Sequence, residues 1–287
     1  MIGLLDVGGG LRGIYSAGIY DYLEDHNIKF DYYLGISAGS ANLVSFTAGQ
    51  RGRNYDFYMN YAFRKDYMSL HNLVRKGEYL DLDYVYSTLC NTGGEDPVDY
   101  ESFQADKSPY FVQVTNAITG EAKYFSKSDI PLDNYDIIKA SCCVPLACKS
   151  VYIDGVPYFD GGISDPVPFK KAFKDGCDHL IVVLTKPEDE IVKRQKFIPV
   201  FERKLKDYPV IAEEVSSRNG KYNDEVRELR EYEKDGRVLV VSPKDTFGMK
   251  TLNKDKEALH KLYDLGFEDA KKIEKYVNEI RCSSWYK

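Results

Sequence analysis

Apolar runs alternate with segments of helical period through the first half of the chain. Residues 2–7 predict a strand, 14–25 a helix, 32–36 a second strand and 38–48 a second helix. Short buried strands alternating with helices are the α/β pattern, in which helices cover the faces of a mostly parallel sheet. The stretch 49–109 is polar and rich in loops, with short helical pieces at 56–61 and 82–89. Strands resume at 110–115 and 122–125 around the turn Thr119-Gly120, and a hairpin follows at 151–153 and 156–159, turned by Asp154-Gly155. A helix at 169–174 and a buried strand at 180–184 complete this part. Residues 186–235 are then dense in charge and helix formers, before a strand at 238–241 and a closing helix at 254–280. The pattern predicts one domain over 1–287: a core of about 1–185 plus 236–287, with a charged helical excursion at about 186–235 laid over the sheet.

Three glycine motifs fall at the junctions of this pattern. Gly8-Gly9-Gly10-Leu11-Arg12-Gly13 follows the first strand and opens the first helix, leaving bare backbone N–H groups where the helix dipole favours negative charge. Gly35-Ile36-Ser37-Ala38-Gly39 lies between the second strand and the second helix. A G-x-S-x-G turn there forces a tight backbone and exposes the serine hydroxyl. Asp160-Gly161-Gly162 follows the hairpin, so an acid ends a strand and glycines let other groups approach it.

The ordered triple closely resembles the patatin-like phospholipases. The resemblance extends to Phe30-Asp31 before the second strand, to Ala140-Ser141 and Pro145 ahead of the hairpin, and to Asp165-Pro166 after the acid. It covers about residues 1–185, with a weaker similarity to the bacterial branch beyond. It implies a three-layer α/β/α sandwich around a mostly parallel central sheet, and a serine–aspartate dyad that cleaves acyl esters of lipids. On that resemblance Ser37 is the nucleophile, Asp160 the base, and the N–H groups of Gly8, Gly9 and Gly10 the oxyanion hole. Arg12, Gly13, Gly35, Gly39, Gly161 and Gly162 complete the motifs, and neither a metal nor an organic cofactor is implied. Ser40 stands where many relatives have alanine, which is expected to alter packing at the turn without touching the dyad.

Other classes fit less well. Gly8, Gly10 and Gly13 satisfy G-x-G-x-x-G, but dinucleotide binding expects an acid at the end of the second strand, where Gly35-Ile36-Ser37 stands instead. An ordinary α/β-hydrolase triad needs a histidine, and His26, His71, His179 and His260 lie in contexts that suit surface or structural roles. A catalytically silent lipid-binding regulator would keep the fold, against which the intact Ser37, Asp160 and glycine loop argue. Without a histidine the aspartate is an adequate base only if burial raises its basicity or the oxyanion hole carries most of the rate.

A net charge of −6 argues against a nucleic-acid partner, since phosphate contacts need a basic face, and against strong overall attraction to an anionic membrane. No apolar stretch is long enough for a spanning helix, and the N-terminus has no basic region followed by a long apolar one, so no secretory leader is expected. Six cysteines form no CxxC pair, and their plain reading is reduced thiols in the cytoplasm. A lipid or acyl ester is the implied partner. The segment 193–206 interleaves basic and apolar residues, which suits a solvated core helix first, and peripheral membrane contact or a flap second. Tyr55, Tyr58, Tyr61 and Tyr67 either line an acyl groove or pack loops, and oligomeric state is not legible.

Overall fold

The computed structural model describes residues 1–193, 201 and 203–284, with residues 283 and 284 described by their backbone alone. Eight strands form one sheet: β1 (Ile2–Asp6), β2 (Tyr32–Ile36), β3 (Tyr110–Asn116), β4 (Ala122–Ser126), β5 (Val151–Ile153), β6 (Val156–Asp160), β7 (His179–Val183) and β8 (Val238–Val241). Their order is β5-β6-β3-β2-β1-β7-β8, with β4 also on β3. The pairings β3–β2, β2–β1, β1–β7 and β7–β8 are parallel, while β3–β4, β3–β6 and β5–β6 are antiparallel.

The central strands β1 and β2 are buried at every position because both faces are covered. Leu4, Tyr33 and Ile181 join the larger core, which also takes in Leu23 and Leu43 of the first two helices. Their neighbours Leu5, Leu34 and Val182 join a second core with Phe169 and Leu229. The helices are α1 (Ile14–Asp25), α2 (Ala38–Thr47), α3 (Arg53–Met59), α4 (Leu70–Lys76), α5 (Tyr100–Ala105), α6 (Asp136–Ser141), α7 (Phe169–Lys174), α8 (Pro209–Lys234) and α9 (Lys256–Ser284), with a π-helical stretch at Tyr84–Leu89. The result is the expected α/β/α layering around a mostly parallel sheet. Among the described residues, no helix is long and apolar enough to cross a membrane.

The departures from the sequence reading are local. α4, α5 and α6 stand where no helix was expected. Leu70 and Val74 of α4 are exposed, so it has no buried stripe to read; it is held by its ends, with Ser69 Oγ accepting the Asn72 N–H at 3.1 Å. α5 buries only Phe103, and α6 has adjacent Ile137 and Ile138, so neither shows a clear helical spacing. The charged excursion is helical only in part, since residues 186–193 are loop and turn and α8 begins at Pro209. Residues 194–200 and 202, the centre of the basic apolar segment, lie outside the described residues.

α9 lays a stripe of Leu259, Leu262, Ala270, Ile273 and Val277 on the core, all fully buried. It meets α1 backbone to backbone. A β-carbon at Gly18 would lie 2.1 Å from the Tyr263 carbonyl oxygen, and one at Gly266 would lie 2.0 Å from the Tyr15 carbonyl oxygen. Three hydroxyl–carboxylate bonds cross the same seam: Tyr15 to Asp269 at 2.8 Å, Tyr22 to Glu274 at 2.5 Å and Tyr263 to Asp21 at 2.7 Å. The methyl of Gly266→Ala must therefore push two helices apart. It is expected to cost about 1–3 kcal/mol as an overpacked contact, read as a lower urea midpoint; an unchanged midpoint would show that the seam is not tight.

Candidate active site

β4 occupies one edge of β3, and the opposite edge is shared end to end by two strands. β2 pairs with Tyr110 to Gln113 in parallel, and β6 pairs with Val114 to Asn116 in antiparallel. The two therefore run toward each other and stop at adjacent registers, Ile36 opposite Gln113 and Asp160 opposite Val114. Ser37 is the next residue of one and Asp160 the last of the other.

Ser37 turns out of the strand with φ 54° and ψ −135°, a conformation that costs a non-glycine residue of order 1–3 kcal/mol. Hydrogen bonds hold it there. Its N–H donates to Ser141 Oγ at 2.8 Å, and that hydroxyl donates onward to the Gln113 carbonyl at 2.7 Å. Its carbonyl accepts the Ser40 N–H at 3.0 Å and Ser40 Oγ at 2.7 Å. Ser40 thus supports the turn directly, more than altered packing alone. Gly39 leaves room for β1, since a β-carbon there would lie 2.5 Å from the Asp6 carbonyl oxygen.

Asp160 is held as firmly. Its N–H donates to the Cys143 carbonyl at 2.9 Å, its carbonyl accepts Thr115 Oγ1 at 2.8 Å, and its Oδ1 accepts the Gly162 N–H at 2.8 Å. Gln113 Nε2 straps the following chain by donating to the Gly161 and Asp165 carbonyls at 2.7 and 2.8 Å. Burial pushes the Asp160 carboxyl above its ordinary value; the Arg218 charge, the Ser37 side chain and the Gly162 N–H pull it back in part. The net direction is the one a general base needs.

The first glycine loop crosses close to this turn. Gly8 has φ 65°, and a β-carbon there would lie 2.3 Å from the Ile36 carbonyl oxygen, so only glycine fits. Its N–H donates to Asp6 Oδ1 at 2.9 Å, and the Leu11 N–H donates to the Thr251 carbonyl at 2.9 Å. Among the described residues, the N–H groups of Gly9 and Gly10 are left without partners. The candidate oxyanion donors thereby narrow to these two, and Gly8 shapes the loop instead. Asp6 was missed in the sequence, where the sign of it was an acid closing an apolar strand just ahead of glycines. It also accepts the Tyr20 hydroxyl at 2.8 Å, and full burial raises it to about 6.

Ser37, Asp160, Gly9 and Gly10 all line one cavity of about 340 Å3. Arg12 lines it too and is braced by its Nε donating to the Thr185 carbonyl at 3.0 Å. Gly13, Gly35, Gly161 and Gly162 stand in the motif backbones around it. A second cavity, of about 60 Å3, reaches Ser37 from the other side between Phe57, Tyr58, Tyr67, Val85 and Tyr86. Tyr58 and Tyr67 are thus groove residues. Tyr55 instead bonds His260 Nδ1 through its hydroxyl at 3.2 Å, and Tyr61 lies under the Arg64 guanidinium. No histidine lines either cavity. His26 stacks on Tyr22 and His179 faces the Tyr276 hydroxyl at 3.4 Å. Among the described residues no group of three His, Cys, Asp or Glu could hold a metal. Arg218 and Tyr222 of α8, with Lys186, also face the larger cavity, and no sequence motif marks them.

Residues 7–173, more than half of the chain, match the patatin-like phospholipase family, and residues 208–280 match a domain of unknown function, DUF6363. The chain belongs to the patatin-like phospholipase family, which supports lipid acyl hydrolysis as the general reaction. It is 32% identical over 204 residues to the uncharacterised protein YjjU of Escherichia coli strain K12, covering 68% of this chain and 55% of that one. It is 28% identical over 188 residues to the lysophospholipase NTE1 of Candida albicans, covering 63% of this chain and 13% of that one. The matched stretch therefore spans about half of YjjU and a small part of NTE1. A solved structure, VipD from Legionella pneumophila, aligns with a TM-score of 0.47 at 13% identity over 94% of this chain and 66% of that one.

Two measurements probe the supports. Ser141→Ala leaves the Ser37 N–H unpaired, which is expected to cost about 1–3 kcal/mol in urea unfolding and to lower turnover with it. Asp6, raised to about 6, is harder to ionise folded than unfolded. Wild type should therefore lose stability relative to Asp6→Asn as pH rises from about 4 to about 6, by of order 2–3 kcal/mol, and stay level above. A difference independent of pH would show that Asp6 titrates normally.

Proposed function

We propose that this protein is a serine acylhydrolase of lipid esters that works through Ser37 and Asp160. The observation that supports this most is that a strained, hydroxyl-bearing Ser37 and a buried Asp160 line one cavity with the unpaired N–H groups of Gly9 and Gly10. Ser37 Oγ attacks the acyl carbonyl carbon as its proton passes to the Asp160 carboxylate. The oxyanion of the tetrahedral intermediate is held by Gly9 and Gly10, and its collapse releases the alcohol, which takes the proton from Asp160. Water, deprotonated by the same carboxylate, then attacks the Ser37 ester, and collapse of the second intermediate frees the acid as Asp160 returns the proton to Ser37 Oγ. The aromatic cavity beside Ser37 suits the acyl chain, since tyrosine and phenylalanine rings give an apolar wall.

The whole chain is proposed to act as one unit, because β8 and α9 of the C-terminal part pair with β7 and pack on α1. A cytoplasmic setting with peripheral membrane contact rests on six cysteines that are all free and on the basic apolar segment around residue 200.

Four variants test the assignment against small esters. An activated fluorophosphonate should label Ser37 alone, and label that persists in Ser37→Ala would remove it. Asp160→Asn should lose at least 10²-fold in kcat, the low end for a general base. His179→Gln and His260→Gln should keep near-wild-type rates, and loss in either while it still melts normally would favour a triad. Because Asp160 must be ionised, the rate should fall as pH drops through a value above that of a free aspartate.

A further inference from the structure

Arg12, Lys186 and Arg218 reach the cavity of Ser37 from three separate parts of the chain: the turn after β1, the loop after β7, and α8. Arg12 is only 7% exposed. Among the described residues none of the three has an ion-pair partner within contact distance. Arg12 and Arg218 each donate their Nε to a backbone carbonyl, of Thr185 and Gly162, and Lys186 Nζ lies 5.1 Å over the Tyr222 ring. The acids that act on them are Asp160, toward Arg218, and the exposed Glu190, toward Arg12 and Lys186. Burial, and then the charges of Arg12 and Arg218, lower Lys186 to about 8. The cations thus repel one another in a half-dry pocket, and an entering dianion offsets both the repulsion and the lost hydration.

The two cavities share Ser37, Gly10, Val144, Thr251 and Leu252. An amphiphile with its ester at Ser37 therefore has an aromatic space on one side and a cationic space on the other. We propose that Arg12, Lys186 and Arg218 bind the phosphate of a phosphate-ester lipid, and that they favour an anionic phosphomonoester headgroup over a choline or a neutral glycerol. A choline ammonium would enter among three cations, and a neutral glycerol would leave their charges unanswered. This inference rests on the acylhydrolase reading for the word lipid, but phosphate binding does not.

Binding and turnover separate the two. In Ser37→Ala protein, calorimetry should find sn-glycerol 3-phosphate bound, with Ser37→Ala/Lys186→Met at least tenfold weaker and Ser37→Ala/Lys186→Arg close to the Ser37→Ala value. Inorganic phosphate should bind more weakly than glycerol 3-phosphate; equal affinity would overturn the headgroup assignment in favour of free phosphate. In turnover, kcat/KM for a lysophosphatidic acid should exceed that for the monoacylglycerol of the same chain by at least tenfold. Lys186→Met should reduce that ratio, mainly through KM, and Lys186→Arg should restore it. Hydrolysis of both substrates without preference would overturn the phosphate site while leaving the acylhydrolase standing. Binding of glycerol 3-phosphate with no ester hydrolysed would do the reverse.

Discussion

Everything at the candidate site depends on two strands that collide along one edge of β3. β2 and β6 each use up part of that edge, so the chain must leave the sheet at the point where they meet, and it does so on both sides at once. The exit from β2 is through a serine in a conformation that side chains avoid. That strain persists because the surroundings over-determine it. Ser141 takes the amide, Ser40 takes the carbonyl, and the first glycine loop lies against the end of β2. The same edge supplies the groups that fix the acid, since Gln113 and Thr115 are residues of β3 itself. A sheet edge thus brings the candidate nucleophile and the candidate base to adjacent registers.

What could be read from the sequence was whatever is encoded locally. α1, β2, α7 and β8 have the bounds that periodicity gives, and the Asp154-Gly155 turn is local chemistry, with both residues at positive φ. The three glycine motifs are likewise short strings, and the cavity brings all three together. Sequence could not show what arrives from far away. Thr251 engages Leu11, and Arg218 engages Gly162 of the third motif, yet neither lies in a recognisable pattern. Asp6 was visible as a letter, but its role needs the knowledge that Gly8 and Tyr20 point at it. The short helices α5 and α6 escaped for a different reason: α5 buries Phe103 alone and α6 has adjacent Ile137 and Ile138, so neither spells out the helical spacing that Phe169, Ala172 and Phe173 give α7.

The C-terminal part acts on the candidate site as well as on the core. It contributes β8 to the sheet edge beside β7, lends Thr251 to the glycine loop, and lines the cavity with Val215, Arg218 and Tyr222. The region that matches a domain of unknown function therefore walls the same space as the serine, where it bears on which molecules fit.

The seam between α1 and α9 has a consequence for biogenesis. Tyr15 and Gly266 touch through backbone atoms, so one of the closest contacts in the protein joins positions near opposite ends of the chain. Ser37 and Asp160 are both translated well before the partner that clamps the first helix. Contacts of such long sequence separation form late and slowly. A fragment ending before residue 251 would hold Ser37 and Asp160 with α1 unclamped and the first glycine loop without its Thr251 partner. The geometry around Ser37 would then be complete only once Thr251 and α9 have joined the fold.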